Sequence, residues 1–153
     1  MNTIAQNRDG AGLRIAIVQS RFNEAIVKRM AVTCEKTLLA QGVNAQDIDL
    51  ATVPGALEIP LMLQTFALTG RYDAMIALGA VIRGDTYHFE IVCNESARAL
   101  MDVSLDCGVP VANAILTTNS DEQALERIEE KAAEAALVAI EMAHLVKTVR
   151  NPQ

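Results

Sequence analysis

The stretch of this chain most suited to chemistry runs from Gly79 to Glu90 and reads Gly-Ala-Val-Ile-Arg-Gly-Asp-Thr-Tyr-His-Phe-Glu. An apolar run stops at Ile82, and Arg83, Gly84, Asp85, Thr86 and His88 follow at once. A buried strand that ends this way is how an open α/β sheet builds a ligand site, because ligands of such sheets bind outside the carboxyl ends of the strands. His88 is the side-chain type whose ordinary pKa lets it both give and take a proton near neutral pH. It reads as a general acid and base, the alternative being a polar residue in a first helical turn. Gly84, Asp85 and Thr86 offer backbone N–H groups and a hydroxyl at a helix start, which together can cradle an anion; such turns also serve merely to connect. No second His or paired Cys stands at ligand spacing near His88, which argues against a metal site.

Three further clusters follow apolar runs: Ser20-Arg21-Phe22-Asn23, Val53-Pro54-Gly55-Ala56-Leu57-Glu58 and Thr117-Thr118-Asn119. Phe22 reads equally as a ring that stacks on a planar ligand and as a hydrophobic staple before a helix. Glu58 reads as an acid favoured by a helix dipole or as a carboxylate that accepts hydrogen bonds from ligand hydroxyls. Arg127 falls on a later helix, where its plain role is a surface ion pair with a neighbour such as Glu130. His144, in an Ala-rich helix, reads as structural or exposed.

Alternating elements must position these residues. Strands are expected at 13–18, 48–53, 74–82 and 111–116. Helices are expected at about 24–41 with Asn23 as N-cap, 57–68, 89–106, and from Asp121 onward with Ser120 or Asn119 as cap. In the last helix Leu125, Ile128, Ala132, Ala135 and Ala139 recur at helical spacing, with a kink allowed near 131–133. Residues 1–12 are polar and read as a flexible arm before one domain over 13–150. Ala74 to Ile82 holds no polar residue, as a central parallel strand buried on both faces should read. Four βα units predict a parallel sheet covered on both sides, which brings all four clusters to one rim.

Composition bounds the function. The chain has 153 residues, enough for one domain with a real core, and a net charge of −6. No basic stripe or aromatic platform appears, so nucleic acid is not the expected partner. Hydrophobic residues make up 51% while aromatics are 3% and Trp is absent, so aliphatic side chains and Ala must fill the core. A mean hydropathy of +0.21 hints at surface covered by other subunits. Cys34, Cys93 and Cys107 show no Cys-x-x-Cys spacing and read as reduced core thiols of a cytosolic protein. The first ten residues lack the apolar core of a secretory signal, and no uncharged apolar stretch reaches the ~18 residues of a membrane span.

Taken in order, Arg21-Phe22-Asn23, Val53 through Pro60, Gly79 through Glu90, and Leu116-Thr117-Thr118 with Glu122-Gln123-Ala124 and Arg127 resemble the lumazine synthases, penultimate enzymes of riboflavin biosynthesis. The resemblance spans about Ile15 to Leu145. It implies a flavodoxin-like three-layer α/β/α sandwich around a four-stranded parallel sheet. It also implies a cytoplasmic transferase that condenses 5-amino-6-(D-ribitylamino)uracil with 3,4-dihydroxy-2-butanone 4-phosphate, without metal or organic cofactor. In family terms Phe22 would stack on the pyrimidine, and Ala56, Leu57 and Glu58 would hold the ribityl chain. Ala80, Val81 and Ile82 would line the pyrimidine edge. Gly84, Asp85, Thr86 and Arg127 would bind the phosphate, and His88 would move protons. Each site would lie between neighbours in a pentamer, with Asn113 and Arg127 supplied by the second subunit.

Two departures stand out. The family often carries an aromatic residue and then Gly where this chain has Asn113 and Ala114. Capsid-forming relatives often carry a Gly-Asn-Lys-Gly loop after the residue matching Lys131, where this chain continues Ala132-Ala133-Glu134. A pentamer, a decamer and a sixty-subunit shell all remain open. Competing expectations are a non-catalytic homologue that binds a lumazine or flavin, and a flavodoxin-like nucleotide binder using Gly84-Asp85-Thr86. The second lacks Gly-x-Gly-x-x-Gly and Gly-Lys-Ser/Thr loops.

Overall fold

The computed structural model describes residues 1–152. Its elements are β1 (Ile15–Ser20), α1 (Glu24–Ala40), β2 (Ile48–Val53), α2 (Ile59–Leu68), β3 (Ala74–Ile82), α3 (His88–Cys107), β4 (Val111–Thr118) and α4 (Asp121–Arg150). The strands form one parallel sheet in the order β2-β1-β3-β4. Alternation along the central strands sets the layers. Ile15 and Ile17 face one way into a core with Val27, Met30 and Leu38 of α1 and Ile128 and Ile140 of α4. Ala16 and Val18 face the other way, against Ile59 and Leu63 of α2 and Leu100 and Val103 of α3. The result is the three-layer α/β/α sandwich, with each buried Leu or Ile contributing about 1.5–3 kcal/mol of transfer free energy.

Small residues let the α1 and α4 layer close on the sheet without aromatics. Six alanines of α4, from Ala124 to Ala143, are buried along the face that meets α1 and the sheet. Leu125 is 46% exposed, and Ala124 takes the core position expected for it. The helix runs unbroken through 131–133, where neither Gly nor Pro interrupts the backbone. Ser120 caps it, with its hydroxyl accepting from the Gln123 N–H at 3.2 Å. Gly108 ends α3 at φ 67, a left-handed conformation that costs a side-chain-bearing residue more than glycine. Within β3, a Cβ on Gly79 would stand 3.0 Å from Ser20 Oγ and 3.4 Å from Ile115 Cγ2, so only hydrogen fits comfortably.

β1 extends to Ser20, beyond the expected end at Val18, because Gln19 and Ser20 pair with Thr52 and Val53 of β2. Ser20 is therefore a buried strand residue and not part of the rim. Near the amino terminus Gly10 is buried and donates to Gln41 O at 2.7 Å. Arg8 pairs with Glu141 at 3.1 Å, and the His144 ring bonds the Asp9 carbonyl, which makes His144 structural. Among the described residues no helix is long and apolar enough to cross a membrane.

Candidate active site

Strand order decides where the site falls. The chain leaves β1 toward β2 and returns across it to β3, so the loops after β1 and β3 diverge at the carboxyl ends of two adjacent strands. That reversal opens the crevice in which doubly wound sheets bind ligands. A cavity of about 460 Å³ lies there, lined by Phe22, Gly55 to Glu58, Ala80 to Ile82, Gly84, Thr86, His88, Phe89 and Val92. Its size suits a small organic ligand.

Each wall has a local cause. Beyond β1, Arg21 N donates to Val53 O at 2.8 Å and Phe22 N to Pro54 O at 3.1 Å, prolonging the β1–β2 pairing. Asn23 then turns the chain at φ 58, the one positive φ outside glycine among the described residues. Its side chain does not cap α1. Instead Nδ2 donates to Ala80 O at 2.8 Å, while its own carbonyl accepts from Ile26 and Val27. The turn is thus fastened to the cavity floor. Phe22 is 72% exposed, which rules out a packed staple and leaves its ring at the cavity.

A short 3-10 turn, Ala56–Glu58, precedes α2, where a single helix from residue 57 was expected. Gly55 and Pro60 explain the break: Glu58 N reaches back to Gly55 O at 3.2 Å, and Pro60 enters the first turn, where its missing N–H costs nothing. The Glu58 side chain makes no capping bond and stays exposed, free to accept from a ligand. On the opposite wall, α3 begins at His88 with no side-chain cap, so its first N–H groups and its dipole face the Gly84–Thr86 turn. His88 N contacts Thr86 Oγ1 at 3.4 Å. The turn thus places a hydroxyl and backbone N–H groups beside an exposed imidazole.

The sequence model of the 6,7-dimethyl-8-ribityllumazine synthase family matches residues 12–147. A protein of that name from Neisseria meningitidis serogroup C is 55% identical over 153 residues, covering 100% of this chain and 97% of the relative. One from Paraburkholderia phymatum is 58% identical over 139 residues, covering 91% of this chain and 81% of the relative. The chain belongs to the 6,7-dimethyl-8-ribityllumazine synthase family.

Of the residues to which the lumazine synthase resemblance gives roles, Phe22, Ala56, Leu57, Glu58, Ala80, Val81, Ile82, Gly84, Thr86 and His88 meet in one cavity. Asp85 is exposed on the same turn without lining it. Two others lie elsewhere in the chain. Asn113 sits in β4 opposite Ala77, its side chain accepting from Ile115 N at 2.9 Å, beside a hollow of about 110 Å³ with Lys131 and Glu134. Arg127 lies along α4, donating to Gln123 O at 2.9 Å and 3.7 Å from Glu126, the acid that takes the place expected of Glu130. Gly55 and Phe89, which lie within the resembling stretches but were given no role, and Val92, which lies outside them, also line the cavity. Val92 follows Phe89 by three residues and His88 by four, so helical spacing places it beside both.

The thiols are free. Burial, with Glu35 adding to it, pushes Cys34 up to about 12, and burial likewise raises Cys93. Neither is poised as a nucleophile. Among the described residues no group of His, Cys, Asp and Glu gathers in a way that would hold a metal ion.

Proposed function

We propose that the protein is a cytoplasmic transferase that condenses 5-amino-6-(D-ribitylamino)uracil with 3,4-dihydroxy-2-butanone 4-phosphate to 6,7-dimethyl-8-ribityllumazine, phosphate and water, without metal or organic cofactor. The observation that carries this is the single cavity in which an exposed ring, a free carboxylate, an uncapped helix start and His88 face one another. Phe22 stacks on the pyrimidine, and Ala80, Val81 and Ile82 line its edge. Ala56, Leu57 and Glu58 hold the ribityl chain, with the Glu58 carboxylate accepting from its hydroxyls. Gly84, Asp85 and Thr86 bind the phosphate at the start of α3.

His88 serves successive proton transfers. Imine formation consumes and releases protons at nitrogen and at the departing water; phosphate elimination takes one from carbon; ring closure takes one from the ribityl-bearing nitrogen and gives one to the carbonyl oxygen, which leaves as the second water. One imidazole close to the anion cradle can attend each in turn, worth about 10²–10⁴-fold. Holding two reactive substrates together supplies much of the remainder.

Residues 13–150 form the synthase domain and residues 1–12 an arm. Asn113 and Arg127 act from a neighbouring copy in a ring of five, Arg127 completing the phosphate site. Their distance from the chain's own cavity supports this, as does the exposed apolar surface on α2 and α3, where Leu61, Leu68 and Leu105 are each more than two-thirds exposed. The test is to mix dialysed protein with both substrates and a chelator and follow lumazine fluorescence. Acceleration over the spontaneous condensation is expected. Pyrimidine binding without acceleration would replace this reading with a binding protein.

A further inference from the structure

We propose that Arg83 is a positioning residue for the reaction, a clamp that holds the loop bearing His88 and acts on turnover only through it. The inference rests on the synthase reading above.

Arg83 is the first residue after β3 and does not line the cavity. Its backbone N–H donates to Thr118 O at 2.9 Å, prolonging the β3–β4 ladder by one bond. Its Nε donates to Asn119 Oδ1 at 2.9 Å. Its Nη1 donates to the Glu90 carboxylate, and the guanidinium carbon lies 4.3 Å from the centre of the Phe89 ring. One side chain therefore ties the tip of β4 to the first turn of α3. His88 opens that turn, directly before Phe89 and Glu90.

The loop between these fixed points has little else to hold it. Residues 84–88 are exposed, a Cβ on Gly84 would meet nothing within 4 Å, and the His88 N to Thr86 Oγ1 contact is long at 3.4 Å. The Arg83–Glu90 pair is half open to water, so its Coulomb energy is small. What it supplies is geometry. A guanidinium can bond Asn119 and Glu90 from separate nitrogens while lying on Phe89, and an ammonium cannot make all three contacts. Because a displacement of about 1 Å at a reacting group can cost about a hundredfold in rate, a loose loop is expensive.

The experiment compares kcat and KM for Arg83→Ala, Arg83→Lys and Glu90→Gln, each made in the parent and in a His88→Ala background. In the parent, Arg83→Ala is expected to lower kcat by roughly ten- to a hundredfold, with KM for the pyrimidine within about twofold, and the two milder changes fall between. In the His88→Ala background the same changes should alter the residual kcat by less than about twofold, because the group whose placement sets turnover is gone and the phosphate contacts of residues 84–86 bear on KM. Equal fold-losses in both backgrounds, or a loss confined to KM for the phosphate substrate, would overturn the clamp while leaving the synthase reading intact. If Arg83→Ala fails to fold, the Glu90→Gln pair decides by the same criterion. A His88→Ala variant as fast as the parent would overturn the role of His88, and the clamp with it.

Discussion

At the amino ends of the strands the polar side chains bind one another, whereas at the carboxyl ends Glu58, Thr86 and His88 line a cavity beside the bonded set Arg83, Asn119 and Glu90. Below β1, Arg14 N donates to Asp73 Oδ2 at 2.8 Å, and its guanidinium approaches Asp49 at 3.5 Å. Tyr72 donates its hydroxyl to Asp49 at 2.5 Å while its ring meets Phe66 edge-on at 5.1 Å. The far end of α4 joins in, with Lys147 on Asp73 at 2.8 Å and Arg150 donating to Gly108 O at 3.0 Å. At the other rim, Glu58 and His88 are exposed and Phe22 stands bare. A helix of 30 residues, about 45 Å long, spans both ends. The contrast separates tasks: one rim closes the fold, and the other keeps donors and acceptors unsatisfied for a ligand to complete.

If the division is sound, the largest effect belongs to the open rim. His88→Ala is expected to slow turnover by about 10²–10⁴-fold while the melting temperature stays within a degree or two of the parent, since the exposed ring buries nothing. Steady-state kinetics beside a melting curve checks both halves; a melting temperature that falls along with the rate would mean the rim also carries stability. Phe22→Ala comes next. Loss of a stacked ring worth about 0.5–1.5 kcal/mol should raise KM for the pyrimidine up to roughly tenfold with kcat nearly intact.

The same contrast explains what the sequence alone could convey. β2 and β3 were legible to the residue: β3 is wholly apolar, as a strand buried on both faces must be, and β2, a half-exposed edge strand, is closed by Pro54-Gly55. The end of β1 was not: Gln19 and Ser20 are polar letters buried by pairing that involves only backbone. The cavity was legible as a set of loop clusters after strands, since topology alone sends them to one rim. The use made of the fourth cluster was hidden. Thr118 and Asn119 do not line the cavity but brace Arg83, Thr118 through its backbone carbonyl and Asn119 through a side-chain tie that no periodicity encodes. Asn23 illustrates the same limit. Its residue type and place suit an N-cap, yet its amide goes to Ala80, because at φ 58 the side chain turns toward β3.

The closed rim should answer with smaller numbers and in stability only. Tyr72→Phe removes the donor to Asp49 and keeps the ring against Phe66. A hydrogen bond to a charged partner is worth about 1.5–3 kcal/mol when buried, and this one is only partly so, which places the expected loss near the lower bound. For a chain of this size that is a fall of about 3–6 °C in melting temperature, with kcat and KM unchanged. Altered kinetics would show that the two rims communicate through the strands.

The smallest effect concerns pH at that same rim, and its sign follows from which form the fold prefers. Burial raises the Tyr72 phenol above its ordinary value near 10, and the Asp49 carboxylate, by accepting its hydrogen bond and repelling a phenolate, raises it further; Arg71 and Arg14 offset part of this. The folded state therefore holds the proton more tightly than the unfolded chain. Between the two pKa values the native state binds more protons, so stability falls as pH rises. The contribution is complete below about pH 10 and is lost as pH climbs through the folded value. Melting temperatures taken from pH 8 upward should decline more steeply in the parent than in Tyr72→Phe, which has no phenol to titrate. Parallel curves would mean that Asp49 does not hold the proton in place, and would remove the hydrogen bond from the account of why this end of the sheet is closed.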